Sequence, residues 1–191
     1  PPNSGITDVT TFDLRNSGGE SIPFNSRVLA RWNRPVDDSN ASIKWLGLTF
    51  STDLPPRGSA TFDLVQTPAA VPPTKIAWAA PDSIHVDTGA LGFRVAYEGD
   101  NLLEDLRIDM NGDQRLDVRL VGDRGAELQL AGAAGLEAVP TRARLLSEGP
   151  VEAVIRLEAQ PAGNAAARLL VWLHAYRNRP WLRAVVRTCG I

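Results

Sequence analysis

The chain has 191 residues, 43% hydrophobic and 22% charged, with a formal net charge of -2. That balance argues against a nucleic-acid or anionic-membrane partner, which would need a clustered basic surface. The single cysteine, Cys189, excludes an internal disulfide and a cysteine-built zinc site, and no apolar run reaches the roughly 18 residues of a membrane-spanning helix.

Taken in chain order, short runs rich in Val, Ile, Leu, Thr, Phe and Trp alternate with polar residues and are cut by Gly, Pro, Asn and Asp. That is the signature of strands. The first four are predicted at 10–14, 26–32, 42–49 and 59–64. Asn16-Ser17-Gly18-Gly19 has no following lysine or helix and reads as a turn, not a phosphate cradle. Between Val28 and Phe50 the sequence VLARWNRPVDDSNASIKWLGLTF gives two alternating runs joined by a polar turn. Alternation puts Val28, Ala30 and Trp32 on one side of the first strand and Ile43, Trp45 and Gly47 on one side of the next, so the two tryptophans are expected to pack across the hairpin.

Residues 67–82 carry Pro68, Pro72, Pro73 and Pro81. Proline lacks the amide hydrogen a central strand needs, so this stretch is predicted to be a semi-rigid connector between a domain over 1–66 and another over 83–191. Second-part strands are predicted at 83–87, 91–97, 101–109, 115–120, 127–130, 141–148, 151–159, 168–176 and 181–187. GAELQLAGAAGLEAV, from Gly125 to Val139, has a helical composition but is broken by Gly132 and Gly135, so strand and loop are preferred there.

Several motifs invite chemical readings. Asp109-Met110-Asn111-Gly112-Asp113 places oxygen ligands as a calcium loop opens. An EF-hand loop, however, wants Gly and an acid where this chain has Gln114 and Leu120. The preferred reading is a type I′ hairpin turn at Asn111-Gly112, and no metal or cofactor is predicted. His85 and Asp87 share one side of a strand and are expected to be structural. Asp87-Thr88-Gly89 matches the aspartic-protease word only once, and that enzyme needs two copies. Cys189 has no sequence neighbour to activate it.

In RLLVWLHAYRNRPW, Trp172, His174 and Tyr176 recur at period two, opposite Leu169, Val171, Leu173 and Ala175. Arg177, Arg179 and Trp181 follow. Two aromatic rings, an imidazole and two guanidinium groups suit stacking on sugar rings and pairing with their carboxylates, so Trp172, His174, Tyr176, Arg177 and Arg179 are the candidate substrate-binding residues. The more economical reading is a sandwich that buries both faces of this strand. If the residues were catalytic, His174 or Tyr176 would be the base of a β-elimination and Arg177 or Arg179 the stabiliser of the enolate. The sequence fixes no such geometry, and the catalytic residues stay unassigned.

The Arg31-Trp32 word, the Ser42-Ile43-Lys44-Trp45 word and Asp87-Thr88-Gly89-Ala90-Leu91, with the flanking segments PPNSGITDVTTFDLRNSGGESIPFNSRV and STDLPPRGSATFDL, resemble the opening of the exo-rhamnogalacturonan lyase-like family of polysaccharide lyases, which includes YetA-like proteins. The resemblance implies an all-β chain: a small N-terminal RIFT-type β-barrel, from residue 1 to about 64, followed by part of a β-sandwich. The family's short Asp-Gly-Ser turn is replaced here by the longer Asp37-Asp38-Ser39-Asn40-Ala41-Ser42. In the family an α/α toroid follows the sandwich, so the chain is expected to be an internal fragment of a larger bacterial protein, secreted or periplasmic.

The function implied is that of a non-catalytic N-terminal portion of a carbohydrate-active protein. Its partner would be a pectic or other acidic polysaccharide, cleaved by β-elimination in the full-length parent. Two rivals remain. A stand-alone carbohydrate-binding module would expose Trp32, Trp45 or Trp78 in a flat array, and a structural β-sandwich of a surface protein would bury all five tryptophans.

Overall fold

In the computed structural model, which describes residues 5–67, 74–122, 125–127, 129–132, 135–138, 141–160 and 167–189, every regular element is a β-strand. The chain divides into two compact units, Pro1–Thr74 and Lys75–Ile191.

The N-terminal unit holds β1 (Phe12–Asn16), β2 (Ser21–Ile22), β3 (Phe24–Arg31), β4 (Ile43–Phe50) and β5 (Phe62–Gln66). They form a three-stranded sheet in the order β2-β1-β5 and a separate β3-β4 hairpin. The all-β class is as expected, and among the described residues no closed barrel is found: these strands make two separate antiparallel sheets. Pro23, between β2 and β3, has no N–H to carry the ladder from one sheet into the next, which is where closure would have to begin. The Asn16 turn is as expected, its side-chain carbonyl accepting the Gly18 and Glu20 N–H groups at 2.9 and 3.0 Å.

The tryptophan hairpin also departs from simple alternation. Val28 pairs with Leu46, Ala30 with Trp45 and Arg31 with Ile43, so Leu29 is one extra residue in β3 and Lys44 a compensating extra residue in β4. Each bulge turns the following side chain to the other face. As a result the Lys44 ammonium lies 4.8 Å from the Trp32 ring centroid, while Trp45 stands opposite Ala30 and projects into solvent.

The C-terminal unit is a two-sheet sandwich. It holds β6 (Ala77–Ala79), β7 (Ser83–Asp87), β8 (Leu91–Ala96), β9 (Glu98–Gly99), β10 (Asn101–Ile108), β11 (Val118–Arg119), β12 (Ala126–Glu127), β13 (Gln129–Gly132), β14 (Gly135–Ala138), β15 (Thr141–Glu148), β16 (Glu152–Ala159), β17 (Arg168–Tyr176) and β18 (Leu182–Cys189). One sheet runs β11-β10-β8-β7-β6 with β12 also on β10, the other β18-β17-β16-β15-β9, and β13 and β14 form a hairpin. Ile84, Val86, Phe93 and Val95 from the first sheet meet Ala153, Ile155, Leu157, Leu169, Val171 and Leu173 from the second in one buried cluster. The buried positions of β16 and β17 recur at period two, all of them apolar, and that is what lets one face of each strand enter the core.

The connector reading is corrected at its C-terminal end. Lys75-Ile76-Ala77-Trp78-Ala79 lies between Pro73 and Pro81, so its own backbone is free to pair, and it supplies β6, with Ile76 and Ala77 in the core. The segment lies at the end of its sheet, where proline neighbours are tolerated.

The Asn111-Gly112 reading is corrected in turn type. Ile108 pairs with Val118, so the two strands do form an antiparallel pair, but the connection is a nine-residue loop. Asp109 accepts the N–H groups of Asn111, Gly112 and Gln114 at 3.1, 2.7 and 2.8 Å; the loop closes on a side chain instead of a two-residue turn. Gln114 takes φ 65° in the left-handed region. Leu116 from this loop lies over Gly92, where any side chain would collide with it.

Candidate functional site

The site is built from the outward positions of β16, β17 and β18. Pairing sets Tyr176 opposite Glu152, Trp172 between Arg156 and Val185, and His174 between Val154 and Arg183. The inward positions of β16 and β17 are buried, and the outward ones are half-exposed. The reading in which both faces of β17 are buried is thus overturned: one sheet covers one face, and the other keeps Trp172, His174 and Tyr176 at the surface.

Within this face the groups touch. His174 Nδ1 lies 2.9 Å from Glu152 Oε1. The imidazole and the Tyr176 ring are nearly parallel with centroids 6.4 Å apart, and the Trp181 ring tilts 52° against Tyr176 at 5.3 Å. Burial raises the Tyr176 hydroxyl pKa above its usual value; the charge of Glu152 and its hydrogen bond add to this, and Arg183 opposes it. The same burial and the neighbouring carboxylate disfavour the phenolate form of Tyr176.

Of the two arginines predicted, Arg177 is tied to a backbone carbonyl and Arg179 is exposed. Arg177 gives its Nε hydrogen to the Pro150 carbonyl and its backbone N–H to Val151 at 2.8 Å, tying the β15–β16 turn to the end of β17. Arg179 offers its backbone carbonyl to the Thr88 hydroxyl at 3.1 Å and leaves its side chain exposed. Sequence reasoning missed Glu152 and Arg183. Both lie on neighbouring strands, and only the register of the sheet, which the amino acids state pairwise and not locally, brings them to His174 and Tyr176.

The remaining motifs are structural. His85 Nε2 faces Ser83 Oγ at 3.2 Å while Asp87 accepts the Gly89 N–H at 2.8 Å, so the two form no pair. Thr88 is buried, and its carbonyl accepts the Asn178 N–H at 2.7 Å, which locks the Asp87-Thr88-Gly89 turn to the end of β17. A polar cavity of about 510 Å³ is lined by Glu98, Gly99, Thr141, Arg142, Glu158, Gln160 and Arg168. None of the five candidate residues lines it.

Among the described residues no group of three or more His, Cys, Asp or Glu is placed to hold a metal ion, and no helix is long and apolar enough to cross a membrane. No protein-family model matches the chain, and no curated protein does.

Proposed function

We propose that the chain is a glycan-binding, non-catalytic part of a carbohydrate-active protein whose ligand is an acidic polysaccharide, in keeping with its resemblance to the exo-rhamnogalacturonan lyase-like family. The observation that carries this reading is the placement of the tryptophans. Trp32, Trp45 and Trp181 are 37, 63 and 51% exposed, and Trp172 is half-exposed. Indole rings bury more apolar area than most side chains and normally enter a core or an interface, so a purely structural role does not account for these four at the surface.

On β17 and β18 the exposed rings stand beside a cation. Tyr176 and Trp181 offer adjoining aromatic faces, and Arg183 is exposed. Arg183 also reaches the Tyr176 hydroxyl, so its guanidinium stands where a uronate carboxylate would meet it while the rings take the C–H face of the sugar. Glu152 and His174 are an oriented pair such as a base needs, but they sit on an open strand face, where water competes with any substrate. That favours recognition over β-elimination here. Chemistry, a location outside the cytoplasm and the further toroid domain would belong to the parent protein.

The test is acrylamide quenching of tryptophan fluorescence with and without polygalacturonate. Protection of part of the emission is expected. Identical quenching at saturating polygalacturonate would remove the reading.

A further inference from the structure

The opposite sheet carries a second row of a different character. Trp78 on β6, His85 on β7, Arg94 on β8 and Glu104 on β10 are direct neighbours across four strands, so their side chains share one outer face. The Trp78 indole lies on the His85 imidazole, centroids 5.5 Å apart and planes 11° from parallel. One face of the indole is covered by the imidazole and its ring is half-exposed to solvent.

The imidazole is itself fixed. Ser83, buried at the start of β7, donates its hydroxyl hydrogen to Asp82 Oδ1 at 2.8 Å. With that hydrogen committed, Ser83 Oγ accepts from His85 Nε2 at 3.2 Å, which sets the hydrogen on Nε2. The Ser83 hydrogen bond holds the Asp82 carboxyl below its usual pKa. Further along the row Arg94 Nη2 meets Glu104 Oε2 at 2.5 Å, and Nη1 lies 4.0 Å from Asp82 Oδ2. Two carboxylates around one guanidinium leave this row neutral to negative, unlike the face that presents Arg183.

We propose that Trp78, backed by His85 and flanked by Asp82 and Arg94, is a second saccharide platform that takes a neutral pyranose and rejects a uronate, so that the sandwich binds glycan on both outer faces. The inference rests on the glycan-binding reading for the class of ligand but on separate residues for the site. The open indole face receives the C–H face of the sugar, the Asp82 carboxylate accepts from ring hydroxyls, and both carboxylates repel a second acid. Because the Ser83-His85-Trp78 stack is already ordered, little side-chain freedom is lost on binding.

Calorimetric titration of the whole chain with neutral galactan oligosaccharides and, separately, with oligogalacturonate tests this. Trp78→Ala should weaken the neutral ligand about tenfold, the loss of one aromatic stacking contact, and leave oligogalacturonate unchanged; Trp78→Phe should retain most of the affinity. His85→Ala, which frees the indole without removing it, gives an intermediate loss and serves if Trp78→Ala does not fold. Galactan binding that is absent, or indifferent to both Trp78→Ala and His85→Ala, overturns the second platform. Oligogalacturonate binding that persists in that case leaves the proposed function standing, whereas loss of both ligands from the unaltered chain overturns both.

Discussion

Strands of similar length serve different ends in the two units. In the sandwich, β16 and β17 alternate buried and half-exposed residues without a break, and the buried set joins a cluster that runs from Ile76 to Ala175. In the N-terminal unit, β3 and β4 are each eight residues long, yet neither has a buried residue. Leu14 is that unit's one buried hydrophobic side chain among the described residues, with a Phe50–Phe62 edge contact at 4.8 Å beside it. Alternation makes a strand, and only a second layer makes a core. The N-terminal unit is held instead by polar ties, notably Arg31, which donates to the carbonyls of Val36, Thr7 and Ala41.

The widest gap between the units should appear when the core is cut. Leu157→Ala, at a fully buried position facing the opposite sheet, is expected to cost about 2–5 kcal/mol, read by urea unfolding of the sandwich. Leu14→Ala should shift only signals from the N-terminal unit; equal effects of the two variants on the sandwich transition would erase the contrast. Next in size, Arg31→Ala removes charge-assisted bonds to three carbonyls and is expected to cost the N-terminal unit about 1.5–3 kcal/mol, seen as faster amide exchange in β3 and β4. Unchanged exchange there would mean that the unit has another source of order.

Acid distinguishes the units less sharply. Desolvation pushes the Asp109 carboxyl up, and the N–H groups of Gln114, Gly112, Asn111 and Asp113 more than reverse it. The Ser21 hydroxyl and then Arg15 lower Asp13 in the N-terminal unit. A carboxyl with a lowered folded pKa contributes stability that is complete above its unfolded value of about 3.9 and disappears as pH falls through the lower folded value. Asp109→Asn should therefore flatten the acid limb of a thermal-melt series for the sandwich, and Asp13→Asn that of the N-terminal unit. The smallest effect is alkaline. Tyr176, with its raised pKa, contributes stability present below its unfolded value of about 10 and lost as pH rises through the folded one. Tyr176→Phe should remove that slope, and a slope that survives the substitution would assign it elsewhere.

What the amino acids disclosed locally was strand and turn. The runs around 83–87, 141–148 and 168–176 are strands at those bounds, short segments rich in strand-forming residues with Gly, Pro or Asn interrupting the chain near their ends. Residues 77–79 were hidden by the prolines on either side, and the two bulges at Leu29 and Lys44 by a pattern that looks regular until its register is known. The site was legible in the same partial way. Trp172, His174 and Tyr176 share a strand and so announce a face, whereas Glu152 and Arg183 reach it from neighbouring strands, and Arg177 is drawn away by the Pro150 carbonyl. Pairing between distant segments decides such matters, and no local window contains it.

The most direct measurement of the central claim is the affinity of the chain for oligogalacturonate at low salt, determined by calorimetry for the unaltered protein, Trp181→Ala and Arg183→Gln. If the outer face of β17 and β18 recognises uronate, each substitution weakens binding about tenfold while thermal melts stay the same. Equal affinity in all three proteins would contradict the account.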